Sequence, residues 1–317
     1  MNEFDVITFG EAMVMFMADE AVPLHQVEHF TRSLAGAETN VAIGLSRLGY
    51  RVSWVSQVGG DAFGQYIKEA LQKEGVDSSH ISTDSRFSTG FQIKSKVLTG
   101  DPQVQYFRKN SAASQMVTDL FPKQHYLSAG HLHVTGIPPA LSQSMSSYTD
   151  KALTVMKEAN RTVSFDPNLR SQLWGSKEVM TREINRLAVK ADWVLPGLAE
   201  GIVLTGYQTP QDIAAFYLEK GVKVVVIKLG EEGAYYRSAS EEAFVSGFPV
   251  SKVIDTVGAG DGFAVGFISG MLDGLTLGES VTRANAIGAL AVMSPGDSEG
   301  LPTRKQLEAY MHKQESG

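Results

Sequence analysis

Short β-branched runs alternate along this chain with longer stretches of 3.6-residue apolar period, and that alternation leaves few folds open. Strands joined through crossover helices run parallel, and a sheet built that way has both faces covered. The expected class is therefore α/β, with a mainly parallel central sheet flanked by helices on both faces. Its strands are expected at 4–10, 51–58, 130–135, 162–166, 193–195 and 223–229. In such sheets ligands gather beyond the carboxyl ends of the strands, so Asp166, Gly136 and Gly230 mark where a site should lie.

Two segments, about 12–34 and 89–108, depart from the pattern. They hold short alternating runs such as Phe91-Gln92-Ile93-Lys94-Ser95-Lys96-Val97, set off by turn residues including Gly100-Asp101-Pro102. Neither carries a helix of its own. The expectation is a small antiparallel sheet with one uncovered face, inserted into a single domain spanning 1–317 and serving as a lid, a dimer surface or both. After Pro302 a modest helix is expected around Leu307, Tyr310 and Met311.

Composition narrows the function classes. With 43% hydrophobic and 20% charged residues the chain is globular. A net charge of -7 with no basic block argues against a nucleic-acid partner. The absence of Cys excludes disulfides, thiolate zinc sites and thiol nucleophiles. No stretch has the length and apolarity of a membrane span, and the acidic start Met1-Asn2-Glu3-Phe4-Asp5 lacks the basic flank of a signal peptide, so a cytoplasmic location is expected.

The most informative run is Asp255-Thr256-Val257-Gly258-Ala259-Gly260-Asp261-Gly262-Phe263. From Gly258 to Gly260 small residues clear side-chain bulk from backbone N–H groups, and the run opens a helix, an arrangement suited to phosphate. Phe263 and Phe267 form the inward face of that helix, while Gly262, Gly266 and Gly270 make a stripe for close packing. Asp261 falls in the first turn, where the positive helix end favours a carboxylate by roughly 0.3–1 kcal/mol and keeps it ionised. Read alone, the run also admits a packing role with Asp261 as a plain helix-end charge. A second glycine-opened start is Ala35-Gly36-Ala37-Glu38-Thr39-Asn40, followed by Val41, Leu45 and Leu48 at helical spacing and Gly49 as the stop. A third is Gly59-Gly60-Asp61-Ala62-Phe63-Gly64. There is no P-loop, no protein-kinase catalytic loop and no strict dinucleotide fingerprint.

In chain order, Phe9-Gly10-Glu11, Asn40, Gly59-Gly60-Asp61 and the run from Asp255 to Asp261 resemble the ribokinase-like (PfkB) carbohydrate kinases over nearly the full length. The resemblance implies a ribokinase-like fold with a β lid over the sugar, ATP and Mg²⁺ as cofactors, Asp261 as general base, and the N–H groups of Gly258, Ala259 and Gly260 as an anion hole. Arg170, at the end of Asp166-Pro167-Asn168-Leu169-Arg170, offers a planar fork suited to a carboxylate or phosphate, or else pairs with a helix carboxylate on the surface. On the nucleotide side the resemblance implies Asn168, Arg170, Lys228, Gly230, Glu232, Gly233, Gly258 and Gly260. Asn285 is placed near adenine, or is a packing residue.

One departure concerns the metal. The family carries Asn-x-x-Glu there, whereas Pro196-Gly197-Leu198-Ala199-Glu200 has Gly197 at the Asn position, leaving Glu200 to hold Mg²⁺ through water. Asp255 and Thr256, by the same resemblance, line a monovalent-cation site for K⁺, or form a helix-approach turn.

Tyr106-Phe107-Arg108-Lys109-Asn110-Ser111-Ala112 sets an aromatic ring and a guanidinium at the end of a lid strand. With Arg170 it puts two cations toward the substrate, which suits a sugar acid better than a neutral hexose. These runs resemble the 2-keto-3-deoxygluconate kinases within the family, implying that Gly36, Ala37, Asn40, Tyr106, Arg108 and Arg170 contact a sugar acid phosphorylated on its terminal hydroxyl. Gln92 stands where relatives often have Tyr, and Asp297 either reaches the substrate or caps a turn. The alternatives are a fructokinase or other neutral-sugar kinase, and a catalytically silent sugar sensor. His131 and His133 share one strand face without an evident third ligand and read as packing residues, as do Trp54, Trp174 and Trp193. The lid predicts a homodimer joined lid to lid.

Overall fold

The computed structural model describes residues 2–97 and 102–315, with side chains to 313. Its strands are β1 (Phe4–Phe9), β2 (Met13–Ala18), β3 (Phe30–Ala35), β4 (Val52–Val58), β5 (Ile81–Thr83), β6 (Phe91–Lys94), β7 (Val104–Phe107), β8 (Ala129–Thr135), β9 (Thr162–Asp166), β10 (Trp193–Val194), β11 (Val224–Lys228), β12 (Gly233–Ser238) and β13 (Glu242–Ser246). Its α-helices are α1 (Ala37–Arg47), α2 (Ala62–Lys73), α3 (Lys123–Leu127), α4 (Pro138–Leu141), α5 (Gln143–Glu158), α6 (Lys177–Ala188), α7 (Leu198–Thr205), α8 (Pro210–Leu218), α9 (Ala259–Leu272), α10 (Leu277–Ala291) and α11 (Arg304–Glu315).

The main sheet runs β13-β12-β11-β10-β9-β8-β1-β4-β5. From β11 to β5 every pair is parallel, and all six expected strands lie in this stretch. β12 and β13 add an antiparallel edge. Sequence reasoning missed that hairpin and the three-residue β5; β5 and β13 are a short and a half-exposed edge strand, without the apolar run of a buried one. Successive residues of the central strands feed opposite cores: Trp54 and Val226 pack toward α9 and α10, Val55 and Ile227 toward α5 and α6. His131 and His133 lie inside the sheet, both touching the Ser164 hydroxyl (2.8 and 2.9 Å), and burial pushes each pKa down to about 3. They are neutral packing groups, with the His131 ring stacked on Trp193.

The glycine stripe on α9 does what its spacing suggests. A Cβ at Gly266 would stand 2.4 Å from the Ala284 Cα of α10, so the two helix backbones touch there. Gly266→Val must push them apart, and overpacking of this kind costs about 1–3 kcal/mol or more. A clearly lowered urea midpoint is expected, and an unchanged midpoint would contradict this packing.

The second sheet, β3-β2-β6-β7, is formed by the two segments expected to make the lid, and it differs from expectation in two ways. It is mixed: β2–β3 and β6–β7 are antiparallel, but β2 and β6, one from each lid segment, pair in parallel. Its outer face is also partly roofed. Phe63 of α2 packs against Phe16 and Phe91, each at 5.7 Å between ring centres, and the Arg32 guanidinium lies 3.9 Å from the centre of the Tyr66 ring. The helix that serves this purpose belongs to neither lid segment, which is why the segments alone did not reveal it. Asp61 anchors it, accepting the Gly64 and Thr89 N–H groups, both at 2.8 Å, and so ties the start of α2 to the entrance of the second lid segment. Gly100 and Asp101 of the expected turn lie outside the described residues.

Candidate active site

The carboxyl ends of β1, β9 and β11, the first turns of α1 and α9, and the inner face of the lid surround a cavity of about 330 Å³. The residues expected around the sugar all border it: Gly36, Ala37 and Asn40 from the start of α1, Gln92, Tyr106 and Arg108 from the lid segment, and Arg170, Asp261 and Asp297. α9 begins after Gly258, whose φ of +81° and whose missing Cβ, 2.2 Å from the Asp297 carbonyl oxygen, admit no other residue without strain. The opening turn of a helix leaves its N–H groups without intrahelical acceptors, and here that turn contains Asp261.

Asp261 is buried and held from two sides. Asn40 Nδ2 donates to Oδ2 at 2.8 Å and Asn168 Nδ2 to Oδ1 at 3.3 Å. Burial raises its pKa to about 6, a shift that the Asn40 bond reduces and the nearby Asp166 carboxylate increases. The expectation that the helix end governs this group is thereby corrected: desolvation outweighs the helix field, because the field is worth at most about 2 kcal/mol even when partly buried. Asp261 still ionises below neutrality. Burial likewise raises Asp297 and Glu38 to about 7, and among the described residues Asp297 Oδ1 and Glu38 Oε2 have no hydrogen-bond partner.

Asp166 organises the neighbouring loop. Its Oδ1 accepts the Asn168 N–H (3.2 Å), supporting Asn168 at a positive φ of 40°, and its Oδ2 accepts from the Lys228 ammonium at 2.7 Å. Burial works against the Lys228 charge, but the carboxylates of Asp166, Glu200 and Asp261 outweigh it and hold its pKa above the ordinary value.

A second groove, about 890 Å³, lies beside the first. Gly230, Gly233 and Asn285 line it, with an apolar wall that includes Phe248, Val250 and Phe263. Lys228, Thr256 and Gly260 border both cavities. Four expected nucleotide-side residues fall elsewhere. Asn168, Arg170 and Gly258 line the smaller cavity, and Glu232 lies outside the groove lining, where Glu231 stands instead. Asn285 is engaged by the edge hairpin, its Nδ2 donating to the Val245 and Ser246 carbonyls at 3.1 Å each.

Three of the four cavity cations are already paired. Arg108 bonds Glu11 Oε2 through Nε (2.6 Å) and Nη2 (2.5 Å), Lys94 pairs with Asp255, and Lys228 with Asp166. Arg108 borders the cavity as expected, with its charge balanced by the buried Glu11 beneath it. Arg170 is different: among the described residues it makes no ion pair, and its Nη1 donates only to the Leu169 carbonyl (3.1 Å). Glu200 closes the first turn of α7, accepting the Leu169 N–H at 2.7 Å and the Gly197 N–H at 2.8 Å.

Glu11, Glu38 and Lys94 were missed as site residues. The signal for Lys94 was present, since it lies two positions beyond Gln92 and so shares its strand face. Glu11 lies two residues beyond the carboxyl end of β1, where ligands gather.

The pfkB family carbohydrate kinase profile matches residues 3–304, and this chain belongs to that family. It is 53% identical, over 98% of its own length and 97% of the relative's, to the 2-dehydro-3-deoxygluconokinase of Bacillus subtilis (strain 168). The PfkB protein from Polaromonas sp. JS666 superposes with a TM-score of 0.90 at 51% identity, covering 96% of this chain and 99% of the other. A putative ribokinase II from E. coli, in complex with ATP and Mg²⁺, has a TM-score of 0.91 at 30% identity, covering 98% and 99%.

Proposed function

We propose that this chain is an ATP-dependent kinase acting on a sugar acid, transferring the γ-phosphoryl group to the terminal hydroxyl of 2-keto-3-deoxygluconate to form 2-keto-3-deoxy-6-phosphogluconate. One observation carries the reading: the buried Asp261 stands in the smaller cavity beside the wall of Lys228, Thr256 and Gly260 shared with the larger groove. A sugar in the first and a nucleotide in the second would meet at that wall.

Asp261 then accepts the hydroxyl proton as the phosphoryl group moves, with Asn40 and Asn168 fixing both of its oxygens. The N–H groups of Gly258, Ala259 and Gly260 stabilise charge developing on the phosphates, and Lys228 adds a fixed positive charge at the shared wall. The lid excludes water that would otherwise compete for the phosphoryl group. Glu200 suits a hydrated Mg²⁺, because each carboxylate oxygen keeps a lone pair after accepting one N–H group, and Gly197 contributes no ligand. Mg²⁺, when bound, neutralises phosphate charge. The apolar wall of Phe248, Val250 and Phe263 suits a nucleotide base.

The choice of a sugar acid rests on Arg170, whose unpaired guanidinium faces the cavity, together with the 53% identity to the Bacillus subtilis relative. A coupled ADP-release assay over a panel of sugars tests it. The highest kcat/KM is expected with 2-keto-3-deoxygluconate. A preference for fructose would favour the fructokinase reading, and no turnover with any sugar would favour a silent sensor.

The same proposal includes a single domain with an inserted lid, a cytoplasmic location and a lid-to-lid homodimer. Phe107, 46% exposed and stacked on Phe91, offers apolar surface for such contact, and a monomeric mass in light scattering would contradict the dimer. No helix among the described residues is long and apolar enough to cross a membrane.

A further inference from the structure

The turn entering α9 starts at Asp255, where the family resemblance leads one to expect a monovalent metal ion. The residues present do not fit one. The ammonium of Lys94, from β6 of the lid, lies 2.5 Å from Asp255 Oδ2, and the two side chains are only 6% and 10% exposed. Asp255 is further engaged by backbone: Oδ1 accepts the Val257 N–H at 3.1 Å, and the Gly296 N–H points at Oδ2 from 3.4 Å. A second cation on this carboxylate would stand against the ammonium in a desolvated pocket, where like charges repel far more than in water.

Lys94's neighbours across the lid sheet are Met17 and Val104, neither able to accept its charge; the buried Asp297 carboxyl also feels its charge, but among the described residues Asp255 is its sole ion-pair partner within 4.0 Å. Its position is also functionally placed. It borders the smaller cavity on one side and, with Asp255, Thr256 and Gly296, a separate cleft on the other. From Asp255 the chain passes through Thr256 and Val257 to Gly258, so a charge that fixes Asp255 also fixes the turn presenting the N–H groups of α9.

We propose that Lys94 is the built-in cation of this turn: its ammonium takes the place of a monovalent metal ion beside Asp255, so the reaction does not require potassium. Lys94 belongs to β6, so its charge ties the lid sheet to Asp255. The organisation of the phosphate-facing turn is thereby coupled to the sheet that covers the sugar. The inference rests on the reading that the start of α9 meets the nucleotide phosphates, but not on which sugar is phosphorylated.

The test compares the full chain in tetramethylammonium chloride and in KCl at equal ionic strength, reading ADP release and the rise in Tm caused by ATP with Mg²⁺. Wild-type kcat and the ATP-induced Tm shift are expected to be the same in both salts. Lys94→Met is expected to lose about tenfold or more in kcat without potassium, the scale of losing a fixed charge near developing phosphate charge. KCl or NH4Cl should restore part of that loss, and should raise the Tm of the variant alone. Several-fold activation of the wild type by KCl overturns the proposal, whether or not the variant folds. So does a larger ATP-induced Tm shift of the wild type in KCl, whatever sugar the enzyme accepts. A Lys94→Met enzyme with unchanged kcat and only a raised KM for sugar also overturns it, because Lys94 would then be a sugar contact.

Discussion

Asp261→Asn is expected to fold and to bind sugar, yet to lose about a hundredfold or more in kcat, the usual scale for removing a general base. The side chain keeps its size, but its amide nitrogen would face either Asn40 Nδ2 or Asn168 Nδ2, both of which donate to the carboxylate, so one hydrogen bond is also lost. Stability gives an independent check. Burial raises the Asp261 pKa to about 6, above its ordinary 3.8, so above pH 6 the folded state carries an ionised group that the unfolded chain solvates better. Neutral Asn removes that cost, and at pH 8 the variant should melt no earlier than the wild type apart from the lost bond. The wild-type kcat/KM should fall as pH drops through about 6, where Asp261 takes up a proton, and the residual activity of the variant should lack that limb. A folded Asn variant with near-normal turnover would remove Asp261 from the role of base.

Arg170→Ala should have the second-largest effect, and a selective one. A charge-assisted bond to a carboxylate is worth about 1.5–3 kcal/mol, which corresponds to about a tenfold to hundredfold loss in kcat/KM for a sugar acid. A neutral sugar such as fructose should lose little. Arg170→Lys, which keeps the charge but not the planar fork, should fall between. Arg108→Ala is a poorer probe of the same question. It would strip the buried Glu11 of its partner, and breaking a buried pair costs about 3–5 kcal/mol of stability whatever the substrate. If Arg170→Ala acts equally on fructose and on 2-keto-3-deoxygluconate, the carboxylate argument fails.

Much of this molecule is legible in its amino-acid sequence. The six expected parallel strands stand out as short β-branched and apolar runs because they are buried, with small or packing polar residues such as Ser53 and His131 among them, and the glycine starts of α1 and α9 are written in consecutive residues. The stripe at Gly262, Gly266 and Gly270 needed only helical spacing to be read. The antiparallel hairpin at the sheet edge and the roofing of the lid by α2 were less legible, since a half-exposed strand has a weak pattern and a covering helix can come from anywhere in the chain.

The amino-acid order by itself determined the layered α/β class, the family and the position of Asp261 in the first turn of its helix, because each of these follows from residues close together along the chain. Only the tertiary structure decided which charges are spent and which are free. Arg108 reaches Glu11 across 97 positions, Lys94 reaches Asp255 across 161, and Asn40 reaches Asp261 across 221. Ionisation and pairing depend on distance in space and on loss of water, which periodicity cannot encode. The same three-dimensional closure lifts Asp261 toward neutrality and leaves Arg170 as the cavity's unpaired cation among the described residues.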